Sequence, residues 1–170
     1  MQGALSLQPG SILISAPLLD DPNFEKVVIF IAEHNEKGAL GFVVNQLFSR
    51  RFNELIEFRH CAAFPLFEGG PVETESLYFI HQRPDLIENS LPVVGAVCLG
   101  GNFKQAVAYM NDASLAETEI KLFIGYCGWD DQQLEEEIAE GSWLLADATV
   151  EIIFFVDTDI LWEELYKRKQ

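Results

Sequence analysis

Basic residues are scarce in this sequence. Its 170 residues contain 11 Lys and Arg against 27 Asp and Glu, a formal net charge of −16. A surface this acidic repels phosphate backbones, and the counterion release that drives DNA binding needs clustered Lys and Arg. The composition therefore argues against direct nucleic-acid binding. The deficit is uneven: up to Asp85 there are 6 basic and 11 acidic residues, and beyond it 5 and 16, net −5 and −11. Metal ligands are sparse too. The histidines are His34, His60 and His81, the cysteines Cys61, Cys98 and Cys127, and no C-x-x-C or H-E-x-x-H spacing joins them. Neither a metal nor another cofactor is expected from such a set. Three cysteines do not make an even disulfide framework, which points to a reducing cytoplasm. No apolar run approaches the ~20 residues of a membrane span. The longest, Val150 to Val156, is interrupted by Glu151, and Met1–Leu5 has neither the basic nor the long apolar part of a secretory signal. No membrane association is expected.

Apolar residues, at 49%, suffice for a packed core, which excludes intrinsic disorder. No internal repeat, low-complexity tract or Gly/Ser/Pro-rich linker divides the chain, so residues 1–170 read as one domain. Ser11–Ala16 and Val27–Ala32 read as buried strands. Ala39–Val44 follows as the second arm of a hairpin whose loop, His34–Gly38, has about five residues. Phe52–Phe58 reads as a short helix, Phe67–Val72 as a tight turn, and Leu77–Ile80, Val93–Leu99 and Lys121–Tyr126 as strands. Between the last two, Asn102 is placed to cap a helix through Met110, whose Phe103, Ala106, Val107 and Met110 share one face. Asp130 or Asp131 is expected to cap a second helix with Leu134 and Ile138 inward, its glutamates largely outward, and Gly141 at its C-terminal end. Val150–Val156 reads as a strand by β-branching, with a helical turn near Asp147 as the other possibility, and Ile160–Lys169 as an amphipathic helix. Hairpins dominate and strands outnumber helices. The expected class is α+β, a mixed, largely antiparallel sheet with flanking helices.

Polar residues at strand ends are the candidates for chemistry. Glu33, His34, Asn35 and Asn45 flank the first hairpin, His81 ends a strand, and Glu68, Gly69 and Gly70 lie in the Phe67–Val72 turn. If those ends converged, they would form a polar cleft with a possible acid–base pair. Leu99-Gly100-Gly101-Asn102 joins a strand to a helix without matching a phosphate-binding fingerprint. Cys127, expected between a strand and a helix N-terminus, reads either as a reactive thiol or as a small residue behind a turn. Trp129, Asp130 and the acidic helix that follows read as a docking face for a partner or as a solvated surface. No G-x-S-x-G, kinase or deaminase signature is present.

The same segments resemble the AlgH/YqgE family of bacterial proteins. The resemblance is carried by Pro17–Phe24, by Glu33–Asn45 and by the Gly-Gly-Pro-Val turn within Phe67–Val72. It extends to the strand Leu77–His81 and to Gly125-Tyr126-Cys127-Gly128-Trp129 continuing to Trp143. It covers nearly the whole chain and implies a bacterial cytoplasmic α+β domain. The family is often labelled a transcriptional regulator and brings no accepted catalytic residues. Two functions are therefore carried forward. One is a non-enzymatic regulatory or interaction protein acting through a protein partner or small ligand. The other is an enzyme or ligand binder using a cleft around His34, Asn45, Glu68 and His81.

Overall fold

The computed structural model describes residues 5–17, 24–154 and 157–169. Residues 18–23 of the Pro17–Phe24 motif, and 155–156 of the expected Val150–Val156 strand, lie outside them.

Alternating apolar residues set the first strands. In β1 (Ile12–Ser15) and β2 (Val28–Asn35), Ile12, Ile14, Val28 and Phe30 enter one apolar cluster, while Leu13, Ile29 and Ile31 enter another on the opposite face. β2 pairs antiparallel with β3 (Gly38–Val43) down to Asn35 opposite Gly38, so the hairpin turns on Glu36 and Lys37 alone. The loop is shorter than the five residues expected because Asn35 organises it: its Oδ1 accepts from the Lys37 N–H at 2.8 Å. Gly38, at φ +133°, closes the turn where a Cβ would stand 2.0 Å from the Trp129 carbonyl oxygen.

The chain continues through β4 (Leu47–Arg51), two 3₁₀ turns (Phe52–Glu54 and Ile56–Phe58), β5 (Pro65–Glu68) and β6 (Val72–His81). Then follow β7 (Leu91–Val94), β8 (Val97–Leu99), α1 (Phe103–Asn111), β9 (Ile120–Asp130), α2 (Gln133–Ala139), β10 (Trp143–Ala146), α3 (Val150–Ile153) and α4 (Leu161–Arg168). Among the described residues one ten-stranded sheet results, ordered β10-β1-β2-β3-β9-β6-β8-β7, with β5 added parallel to β9 and β4 antiparallel to β5. The α+β class stands, largely antiparallel as expected. β8 and β9 run parallel with antiparallel β6 between them, and α1 makes the crossover.

β9 is the shared strand. Its first half lies between β5 and β6 and its last four residues pair with β3. Ile120, Leu122 and Ile124 pack beneath α1, and Phe123 packs beneath α3 and α4. Tyr126 returns to the Phe123 side after three residues, which strict alternation forbids, so the alternation slips by one at Gly125. The slip lets Cys127 and Trp129 join Leu134 of α2 and Trp143 of β10 in the third apolar cluster.

Several expected elements differ. Val93–Leu99 is a hairpin, because Gly95 at φ +51° turns the chain and Val94 pairs with Val97. The Phe67–Val72 turn is only its Gly69–Pro71 centre, flanked by strands on both sides. Neither Asp130 nor Asp131 caps α2: Asp130 ends β9, and Gln132 takes the cap position in the left-handed region at φ +67°. Around Val150 the chain is helical, since the Thr149 hydroxyl accepts from the Ile152 N–H at 3.1 Å and starts α3. The Asn102 cap forms as expected, its Oδ1 accepting from the Gln105 N–H. Among the described residues no helix is long and apolar enough to cross a membrane.

Candidate functional site

A cleft of about 730 Å³ opens where four pieces of chain meet. Glu25, Lys26 and Val27 lead into β2. Val43, Asn45 and Gln46 leave β3. Glu68, Gly70, Pro71 and Thr74 span the β5–β6 junction, and Thr158, Asp159, Trp162 and Glu163 belong to α4 and the turn before it. Among the described residues four carboxylates line it against one ammonium group, that of Lys26. The Lys26 Nζ stands 5.7 Å from the Trp162 ring centroid, within cation–π range. Trp162 is fixed from behind, its indole N–H donating to the Ser15 carbonyl oxygen at 2.9 Å and its ring stacking on Tyr166.

Asn45 builds the floor. Its Oδ1 accepts from the Val28 N–H at 2.9 Å and its Nδ2 donates to the Lys26 carbonyl oxygen at 3.0 Å. A side chain thus pairs backbone groups at the start of β2, and Lys26 is held at φ +52°, a region unfavourable for a non-glycine residue. Gly69 and Gly70 lie against β9: the Gly69 N–H donates to the Ile124 oxygen at 2.8 Å, and its own oxygen accepts from Val43 N–H at 2.9 Å. The Cys127 thiol meets the Gly69 oxygen at 3.4 Å and Val72 pairs with Tyr126, so the Gly-Gly-Pro-Val turn and the Gly125–Trp129 motif, remote in sequence, are in direct contact.

Of the candidates from the sequence, the fold brings Asn45, Glu68 and Gly70 to this cleft, with Gly69 adjoining; the others lie elsewhere. His34 Nε2 is 3.0 Å from the Glu135 carboxylate of α2, a contact that holds the Glu135 carboxyl below the usual carboxylate range. Glu33, Asn35 and Asp130 are exposed around that pair. His81 is fully buried. Its Nδ1 accepts from the Arg83 N–H at 3.0 Å, so the ring proton sits on Nε2, 2.9 Å from both the Gly100 oxygen and Ser90 Oγ. Burial pushes its pKa down, and a ring with its acceptor nitrogen filled cannot take a proton from Ser90.

Cys127 lies within β9 instead of at a helix start, 1% exposed. Its thiol contacts the Gly69 oxygen at 3.4 Å, and burial pushes its pKa up to about 12. No helix dipole acts on it, and at neutral pH it is a thiol.

Trp129 is buried, and its indole N–H donates to Glu137 Oε1 at 3.1 Å; Trp143 donates to the same oxygen at 2.9 Å. The acidic helix is thus only partly a solvated face, since Glu135 and Glu137 each hold a partner. Removing the Glu137 carboxylate leaves two indole N–H groups without their charged acceptor. Glu137→Ala is expected to lower stability by about 3 kcal/mol, read from urea unfolding, whereas Glu136→Ala on the exposed side changes it by less than about 0.5 kcal/mol.

Sequence reasoning missed Lys26, Asp159, Trp162 and Glu163. The sequence marks the last helix as amphipathic but carries no sign of what the Trp162 ring would meet. Among the described residues no three His, Cys, Asp or Glu side chains are grouped to hold a metal ion.

The chain is similar to several known proteins. The AlgH-like family model matches residues 12–170. A UPF0301 protein of Chlorobaculum tepidum is 34% identical, over 96% of this chain and 87% of its own length. One from Bacteroides thetaiotaomicron is 31% identical over 94% and 81%. Among solved structures, the AlgH protein of Pseudomonas aeruginosa superposes with a TM-score of 0.77 at 25% identity, covering 99% of this chain and 93% of that one. A Corynebacterium diphtheriae protein reaches a TM-score of 0.80 at 22% identity over 99% and 91%, a likeness of fold.

Proposed function

The chain belongs to the AlgH-like family, and from that premise we propose that it is a non-enzymatic regulatory protein of the cytoplasm. It acts through a protein partner or small ligand bound in the cleft between the β5–β6 junction and α4, and affects gene expression indirectly, without binding DNA. The observation that carries this reading is the make-up of the cleft: Glu25, Glu68, Asp159 and Glu163 surround one lysine beside the Trp162 ring. Such a surface favours a cationic or aromatic group and repels phosphate. That His34 and His81 are engaged in hydrogen bonds away from the cleft supports binding over acid–base chemistry.

The test is capture from bacterial lysate on immobilised protein, comparing the wild type with Glu68→Gln/Glu163→Gln. A protein or small molecule retained by the wild type and reduced at least about tenfold by an equally stable variant is expected, a loss of about 1.4 kcal/mol. Equal retention would remove the cleft from the mechanism. In parallel, no salt-dependent complex with duplex DNA is expected near physiological ionic strength; a sub-micromolar one would contradict the indirect role.

A further inference from the structure

Lys121 is a buried base for which the cleft has no use. It is 4% exposed, in the part of β9 flanked by β5 and β6. Its Nζ lies 4.1 Å from the Phe67 ring centroid and donates to the Ile153 carbonyl oxygen, at the end of α3, at 3.0 Å. Among the described residues no carboxylate forms an ion pair with it. The ionisable groups on the packed elements are Glu68 on β5, Glu73, Glu75, Tyr78 and His81 on β6, Glu151 on α3, and Glu163, Glu164, Tyr166, Lys167 and Arg168 on α4. Among the described residues none of them bonds to Nζ. A neutral amine is well served by one carbonyl and an aromatic face. An ammonium ion there is a desolvated charge without a counter-ion, which is costly.

We propose that Lys121 is a proton-operated latch on the C-terminal segment: as the amine it fastens α3 to the sheet, and as the ammonium ion it favours release of α3 and α4. The release hydrates Nζ, so the cost of charging it is relieved by opening. α3 is short, a four-residue helix held by its Thr149 cap and by Ile152 and Ile153 in the core, and α4 follows it. α4 and the turn before it carry Asp159, Trp162 and Glu163, so the latch would regulate the cleft wall. That consequence, unlike the opening itself, rests on the reading of the cleft as a binding site. Burial alone sets the basicity of the amine, lowering its pKa to about 7 from 10.5, which brings the switch into the neutral range.

Amide hydrogen exchange of residues 150–168 in the full-length protein, corrected for intrinsic rates, tests the latch. The opening constant of the wild type is expected to rise about fiftyfold from pH 9 to pH 7 and to level off below it, as uptake of one proton requires. Lys121→Met is expected to remove the dependence. A wild-type profile flat over this range, or an equal slope in the variant, overturns the proposal. If Lys121→Met fails to fold, the Lys121 Nζ resonance of the wild type decides the matter: titration near 7 supports the latch, and titration above 10 overturns it. None of these measurements uses a ligand, so loss of the cleft reading in the capture experiment would leave them standing, and the reverse holds equally.

Discussion

Gly125→Val is expected to abolish folding, and Gly125→Ala to cost about 3 kcal/mol or more, read from denaturant midpoints. Gly125 sits at φ +76°, and an added Cβ would lie 2.4 Å from the Gly70 carbonyl oxygen and 3.0 Å from that of Val72. Both obstacles are backbone atoms, and both belong to a junction fixed on other sides. Gly69 is hydrogen-bonded to β3 and β9, and Val72 pairs with Tyr126. A side chain at 125 must push β6 away from β9, or separate the junction from the strand it bridges. Either movement also shifts the alternation that sends Phe123 and Trp129 to different clusters. Gly128→Ala is the control three residues on. Its Cβ would meet only the Tyr126 ring, at the ordinary contact distance of 3.5 Å, so a cost within about 1 kcal/mol is expected. Equal effects at the two positions would show that the close approach of the two motifs is not what the glycine serves.

Stability is expected to rise with pH between 7 and 9, pass through a maximum, and then fall. Lys121 has its pKa lowered by burial to about 7 from 10.5. Over the interval between those values the unfolded chain binds the proton that the folded one excludes, so unfolding takes up a proton and stability increases with pH. Below pH 7 both states are protonated and the penalty is constant. Cys127 works in the opposite sense. Burial raises its pKa from 9.0 to about 12, so above pH 9 the unfolded thiol ionises first and stability declines. Cys98, also raised by burial, adds to that decline. His81, lowered from 6.5, places its own loss of stability below that value as pH falls. At 1.36 kcal/mol per pKa unit the rise from pH 7 to 9 amounts to about 2 kcal/mol. Unfolding free energies at pH 7, 8, 9, 10 and 11 check the shape. Lys121→Met is expected to leave only the declining limb, and Cys127→Ala only the rising one above the smaller effect of Cys98. A wild-type profile flat from pH 7 to 9 would mean that Lys121 is hydrated in the folded state.

The elements that could be read from the sequence were those whose signal is local. Val27–Ala32 is apolar on both faces and is a central strand. Asn102 precedes a regular apolar face and caps α1. Gly141 follows α2 at φ +87°, where a helix ends. What escaped depended on partners far along the chain. β4 and β5 have little periodicity of their own; β5 is a strand because β9 lies beside it. Val150–Ile153 has the β-branched composition of a strand, yet the Thr149 cap and the packing of Ile152 and Ile153 decide for helix.

The site divided along the same line. Asn45, Glu68 and Gly70 were legible as polar or turn residues next to apolar strands, and they do meet. His34 and His81 had the same local appearance, but one faces α2 and the other is enclosed by the loops after β6 and β8. Trp162 completes the cleft from the other end of the chain. Nothing around Lys121 in the sequence indicates that a lysine in a strand would be covered by a helix thirty residues away.

The place of β9 in the sheet has a bearing on biosynthesis. The strand that joins β3, β5 and β6 is made after all three of them, so a nascent chain of about 110 residues exposes strand edges with nothing yet to pair them. Those edges include Ala39, Leu40, Leu66 and Phe67, apolar and prone to intermolecular pairing. Until residues 120–130 have left the ribosome tunnel neither half of the sheet can close, so ribosome-bound chains shorter than this should be the form in greatest need of chaperone protection. Truncation before β9 should yield aggregates instead of a smaller folded unit.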